Sequence, residues 1–192
     1  MKAGKVILAT VLAGASSILI AVLGQTWWGD DKAFNLSLPG LPKSPQDPLR
    51  HLPAFSLSDL DGQEIASSAW AGKVVVLNFW ATWCPTCLAG IPFLQAAQAQ
   101  GTAVQVVGIA IDTQEEVARY LANNPVNYLM LLGGIEAVAM SHRLGNRLEG
   151  LPFTVIFDSQ GRWVHAHQGE VTQASLGEKL APLIPASPSL AN

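Results

Sequence analysis

The stretch VVVLNFWATWCPTC, residues 74–87, decides how the rest of the chain is read. Residues 74–80 form an apolar, β-branched run ending in aromatics, the composition of a strand buried on both faces. Ala81, Thr82 and Trp83 then lead into Cys84-Pro85-Thr86-Cys87, and a helical pattern follows. A buried strand thus delivers the protein's two cysteines to the first turn of a helix. Cysteines two residues apart can close a small disulfide ring, Cys84–Cys87. A helix N-terminus offers orphan N–H groups and the positive end of a dipole. Both stabilise a thiolate, and the thiolate is the attacking species. Pro85 suits the first helical position, where an N–H would have no intrahelical partner. Cys84, at the cap, is expected to be the more exposed, nucleophilic sulfur. Cys87, one turn in, is expected to be the buried resolving thiol. The opposing readings are a structural disulfide or half of a zinc site. Zinc takes four ligands, and the chain has no second cysteine pair. A CxxC beside a βαβ pattern reads instead as redox-active.

NFWATWCPTC resembles the membrane-anchored thioredoxin-like proteins of the TlpA/ResA/CcmG (DsbE) family. A second signature, Gly150-Leu151-Pro152-Phe153-Thr154, stands downstream, and the resemblance runs from about residue 53 to 184. It implies an α/β thioredoxin-like fold, a central mixed β-sheet flanked by helices. An N-terminal β-hairpin and a central strand–helix insert complete that fold, and one transmembrane helix precedes it. The family also implies a cis Leu151–Pro152 bond facing the cysteines. Leu151 and Pro152 would receive an extended substrate backbone there, as an added β-strand beside the reactive sulfur. Trp83, Pro85 and Thr86 support the pair. Protein thiols and disulfides are the implied substrates, with cytochrome c precursors among the partners. A membrane electron carrier of the DsbD/CcdA type would supply electrons. No cofactor beyond the redox-active disulfide, and no metal, is implied.

The chain also departs from the family pattern. Ordinary thioredoxins carry a buried Asp on the core strand. Asn78 stands there, as is common in the TlpA-like branch, and a neutral amide cannot be a general base. The TlpA/ResA pattern often puts a Glu two residues before the helix proline, here Pro92, and this chain has Gly90. Glu149, just before the proline loop, is a candidate replacement for proton transfer; the plainer reading is a solvated loop carboxylate.

At 192 residues the chain suits one domain with appendages, and 49% hydrophobic content provides a core. A net charge of −3 makes no case for nucleic acid. Residues 1–5 include Lys2 and Lys5, and residues 6–24 are uncharged and apolar. About 20 such residues span a bilayer. Trp27 and Trp28 follow as an interfacial anchor, then Asp30 and Asp31. Basic residues before and acidic ones after place the N-terminus in the cytoplasm and the remainder outside. The expected location is the bacterial inner membrane, single-pass, with the catalytic domain in the periplasm. A cleaved signal peptide is the rival reading, although no Ala-x-Ala site closes the run. Residues 25–51 read as a tether, with Pro39, Pro42, Pro45 and Pro48 spaced every three residues. The thioredoxin-like domain is expected over 52–185, and 186–192 is a tail.

Within the domain, alternation and Asp61-Gly62 predict a hairpin around residues 55–65, and 67–72 suggests a helical turn. Strands are expected at 103–111 and 126–132, and helices at 135–144 and 171–184. The second of these helices is capped by Thr172. Thr113-Gln114-Glu115-Glu116 matches a capping box. Pro92 is expected to kink the cysteine-bearing helix. His165 and His167 share one face of the strand over 162–167.

These features give a thiol–disulfide oxidoreductase that reduces disulfides of extracytoplasmic proteins. The same chemistry run backwards, as a thiol oxidant of secreted proteins, is one alternative. A copper-binding or delivery module using Cys84, Cys87 and His165 or His167 is the other. Copper proteins of the Sco type, however, have three residues between their cysteines, not two.

Overall fold

The computed structural model describes residues 48–184. The expected span over 6–24, most of the tether and the tail over 186–192 lie outside the described residues. Among the described residues no helix is long and apolar enough to cross a membrane.

Five strands make the main sheet. Val74–Trp80 (β3) is its centre and is buried at every position. Val104–Ala110 (β4) lies parallel on one side, and Phe153–Phe157 (β6) lies antiparallel on the other. Leu129–Leu132 (β5) extends the sheet beyond β4, and Trp163–Gln168 (β7) beyond β6, giving the order β5-β4-β3-β6-β7. Ser56–Ser58 (β1) and Glu64–Ala66 (β2) form the separate hairpin. Its turn is fixed by Asp59, whose carboxylate accepts from the N–H groups of Asp61 and Gln63, both at 2.9 Å. A 3-10 turn over Ser67–Trp70 leads into β3.

Strand alternation divides the core into two layers. Val74, Val76 and Trp80 face one way, toward Cys87, Ile91 and Leu94 of helix α1 (Pro85–Gln98). Val117 of α2 (Gln114–Asn123) and Leu176 and Leu180 of α4 (Gln173–Leu180) join that layer. Val75, Leu77 and Phe79 face the other way, toward Trp70, Leu144 and Ala137 of α3 (Gly134–Arg143). The expected mixed sheet flanked by helices is therefore present.

The structure alters the expected elements in detail. The strand expected over 126–132 begins only at Leu129, and the last helix covers Gln173–Leu180 rather than 171–184. Only half of the capping box at Thr113 forms. Thr113 Oγ1 accepts from Glu116 N at 3.3 Å, but the Glu116 carboxylate pairs with Arg119 at 2.6 Å instead of reaching back. The full reciprocal box is at Thr172, with Ser175 as its partner. Pro92 stays inside the continuous helix α1.

Leu94 is 0% exposed between α1 and the sheet, whereas Ile135 on α3 is 85% exposed. Leu94→Ala should therefore cost about 3 kcal/mol, and Ile135→Ala less than about 0.5 kcal/mol. Urea unfolding checks both through the midpoint at constant slope.

Candidate active site

The site begins where β3 ends. Cys84 is the N-cap of α1, in an extended conformation, with Pro85 following at the first helical position. Its carbonyl accepts from Leu88 N at 3.2 Å, which starts the helical ladder. Cys84 and Cys87 are joined as a disulfide with Cα atoms 5.2 Å apart. Cys84 Sγ accepts from Cys87 N at 3.2 Å and lies 3.4 Å from Thr86 Oγ1. When the bond opens, the same two groups and the helix dipole are in place to stabilise negative charge on Cys84.

Burial departs from expectation. Cys84 is 5% exposed and Cys87 2%, so the capping sulfur is nearly as covered as its partner. The pair belongs to the apolar layer formed by Trp80, Ala81, Ile91 and Val171. The exposed features around it are Trp83, at 67%, together with Pro85 and Thr86.

Sequence reading did not single out the brace behind this loop. Asp112, just past β4, accepts from Thr82 N at 3.0 Å and from Thr82 Oγ1 at 2.6 Å. Only the parallel β3–β4 register brings it beside Thr82. Partial burial is the largest influence on the Asp112 pKa and pushes it up. The hydrogen bonds from Thr82 and from Thr113 N outweigh burial and hold the carboxyl below its ordinary value.

The second loop is set against the first by strand register. Phe79 pairs with Phe153, so the chain leaving β3 and the chain entering β6 meet at one end of the sheet. The Leu151–Pro152 bond is cis. Pro152 is buried, and its carbonyl accepts from Gly169 N at 2.9 Å. Asn146, another residue that sequence reading missed, shapes the approach. Its buried amide donates to Gly150 O and accepts from Gly150 N, both at 3.1 Å, mimicking a backbone pair. Trp83, Leu151 and Glu149 line one cavity of about 310 Å³. Glu149 is exposed there, with a positive φ of 50°.

The two departures from the family pattern each have a packing partner. Asn78 is 2% exposed and donates from Nδ2 to Thr154 Oγ1 at 2.9 Å. A Cβ at Gly90 would meet Val171 Cγ2 at 3.1 Å, so this position faces a side chain that would have to shift for a larger residue. His165 and His167 stack with centroids 6.5 Å apart. Among the described residues no three His, Cys, Asp or Glu side chains gather as a metal site.

Asp112 gives the brace a pH signature. Its folded pKa lies below its unfolded one, so its contribution is complete above about pH 4 and fades as pH falls through the folded value. Asp112→Asn should therefore lower stability by a constant amount at neutral pH. The gap to the unsubstituted protein should close below about pH 4. Thermal unfolding from pH 7 to pH 3 measures it.

Comparison with known proteins agrees with this geometry. The Redoxin family profile matches residues 49–180. The thiol:disulfide interchange protein DsbE of Pasteurella multocida is 32% identical over 161 residues, covering 81% of this chain and 80% of that protein. DsbE of Vibrio cholerae is 35% identical over 136 residues, covering 69% and 71%. Among solved structures, a thioredoxin-family thiol:disulfide interchange protein from Chlorobium tepidum superposes with a TM-score of 0.63 at 25% identity. It covers 71% of this chain and 98% of its own. The chain therefore belongs to the Redoxin family, in the TlpA/ResA/CcmG group of thioredoxin-like proteins.

Proposed function

We propose that this protein is a membrane-tethered thiol–disulfide oxidoreductase that reduces disulfides of proteins outside the cytoplasm. One observation carries the chemistry: the Cys84–Cys87 pair caps α1, with the Cys84 sulfur bonded to Cys87 N and close to the Thr86 hydroxyl. In the reduced state the Cys84 thiolate attacks a sulfur of the partner disulfide. A mixed disulfide forms, and the partner's other sulfur leaves as a thiolate. Cys87 then attacks Cys84. The new Cys84–Cys87 bond replaces the mixed disulfide, and the partner departs with two thiols and two more electrons. The cis-proline loop at the same end of the sheet supports docking of an extended partner segment beside Cys84. Glu149, at the rim of the cavity it shares with Trp83 and Leu151, would meet that segment.

The location and the electron source belong to the same proposal. The apolar run over 6–24, with its flanking charges, supports a single-pass anchor that holds the domain in the periplasm. A buried dithiol in an oxidising compartment needs a continuing supply of electrons, and a membrane carrier of the DsbD/CcdA type fits that need. Cytochrome c precursors, whose cysteines must be reduced before haem attachment, suit the role as substrates.

Cys87→Ser should trap partner proteins as mixed disulfides on Cys84, and Cys84→Ser should trap none. Non-reducing electrophoresis of cells expressing each variant reads this, and equal absence of adducts would sink the reductase assignment. The reduction potential should lie near thioredoxin's, about −270 mV, or lower. A value near about −120 mV would reverse the direction to thiol oxidation.

A further inference from the structure

The turn that presents the disulfide is held at one residue by a side chain from a neighbouring strand end. Cys84 N donates to Ala81 O at 3.3 Å, so residues 81–84 form a single turn between β3 and α1. Its first residue is fixed by packing, since Ala81 is buried in the apolar layer. Its last residue is fixed by the helix that it caps. Trp83 is largely exposed. Thr82 carries the remaining constraint. Its backbone N–H donates to Asp112 Oδ2 at 3.0 Å, and its hydroxyl donates to the same oxygen at 2.6 Å. Among the described residues no other side chain is hydrogen-bonded to residues 81–83.

Asp112 is itself immobilised. Thr113 N donates to its other oxygen, Oδ1, at 2.8 Å. Thr113 caps α2, its hydroxyl accepting from Glu116 N at 3.3 Å. On the other side, Ile111 N donates to Trp80 O at 2.8 Å and continues the β3–β4 ladder past its last pair. The carboxylate thus joins the cysteine turn to a strand end and a helix cap that do not move with it. Closure of a dithiol into a disulfide depends on how well one sulfur is held against the other, that is, on their effective concentration. Cys87 is held inside α1, buried and with its N–H bonded to the Cys84 carbonyl at 3.0 Å. Cys84 stands at the junction. The helical ladder ties its C-terminal side, and its N-terminal side is tied through the turn. Any looseness of the turn in the dithiol state is therefore looseness of the Cys84 sulfur relative to Cys87.

We infer that Asp112 is a positioning residue for the redox step: by holding Thr82 it keeps the Cys84 sulfur against Cys87 in the dithiol state and so favours closure of the Cys84–Cys87 bond. The inference rests on the oxidoreductase reading above. In the step concerned, the Cys87 thiolate bonds to Cys84 Sγ as the bond from Cys84 to the partner breaks. The partner's sulfur leaves with the electron pair as a thiolate. Asp112 exchanges neither electron nor proton with the cysteines. The coupling is reciprocal, so a brace that favours the disulfide is itself strengthened by the disulfide, by the same factor.

Equilibration of the full-length chain with glutathione reads this directly. One protein disulfide and two glutathione thiols exchange for one protein dithiol and one glutathione disulfide. Asp112→Ala should shift this equilibrium toward the protein dithiol about tenfold, which raises the potential by about 30 mV. Thr82→Val, which keeps the backbone bond, should shift it the same way by less. Thr82→Ser keeps both donors and should retain the native value. The kinetics should split as well. With Ellman's reagent, attack by Cys84 releases one chromophore and leaves a mixed disulfide, and attack by Cys87 releases a second. Asp112→Ala should slow the second release about tenfold and leave the first within about twofold. It should also destabilise the oxidised protein more than the reduced one. A native or lower potential in folded Asp112→Ala, or an equal loss of stability in both redox states, would overturn the positioning role alone. Should that variant not fold, equal potentials in Thr82→Val and Thr82→Ser would overturn it. Absence of a reversible two-electron couple in the unsubstituted chain would overturn the oxidoreductase reading itself.

Discussion

Everything at the site depends on β3 lying at the centre of the sheet. Its backbone is bonded on both sides, to β4 in parallel and to β6 antiparallel. None of its residues reaches solvent. A strand held in this way has no freedom of register, because a slip by one residue would turn Val76 and Trp80 into the layer that holds Leu77 and Phe79. The cysteine turn at its end therefore inherits a fixed position. The cis-proline loop inherits its own from β6 through the same ladder.

Around this fixed frame, the energetics of the thiol–disulfide oxidoreductase are set by a few local polar contacts. The donors at Cys84 favour the thiolate over the disulfide, and nearby negative charge opposes it. Asp112 stands at the back of the loop. It is held ionised by the hydrogen bonds that also fix Thr82. One carboxylate thus holds the geometry of the turn from behind. The interior beneath the pair is neutral instead. Asn78 and Gly90 replace acids of the family pattern, and each is closely packed.

Much of this was legible in the chain because it rests on local pattern. The run over 74–80 is too apolar and β-branched for a surface element, and β3 has those bounds. Thr172 is a good cap in sequence and in structure. The cis bond at Pro152 was readable only through resemblance, since the local sequence carries no sign of the isomer. What escaped was non-local. Asp112 reaches Thr82 across 30 positions, and the Asn146 bracket around Gly150 depends on how one short loop closes. The Thr113 box failed because Arg119, one turn on, offered Glu116 a stronger partner than a backbone N–H. The near-equal burial of the two cysteines also follows from tertiary packing, which helix position alone does not reveal.

The hairpin has a consequence for how such a sheet survives among other polypeptides. An open sheet has two rims of unpaired backbone, and each is a template for a foreign strand. Here Asp59, at the hairpin turn, bridges to Leu131 on the outer side of β5. At the opposite rim, Trp163 N donates to Arg50 O at 2.9 Å as β7 begins. Segments that precede the sheet in the chain thus pair with both of its rims. If an extended partner segment docks beside Cys84 as proposed, a sheet with covered rims directs such segments to that one place.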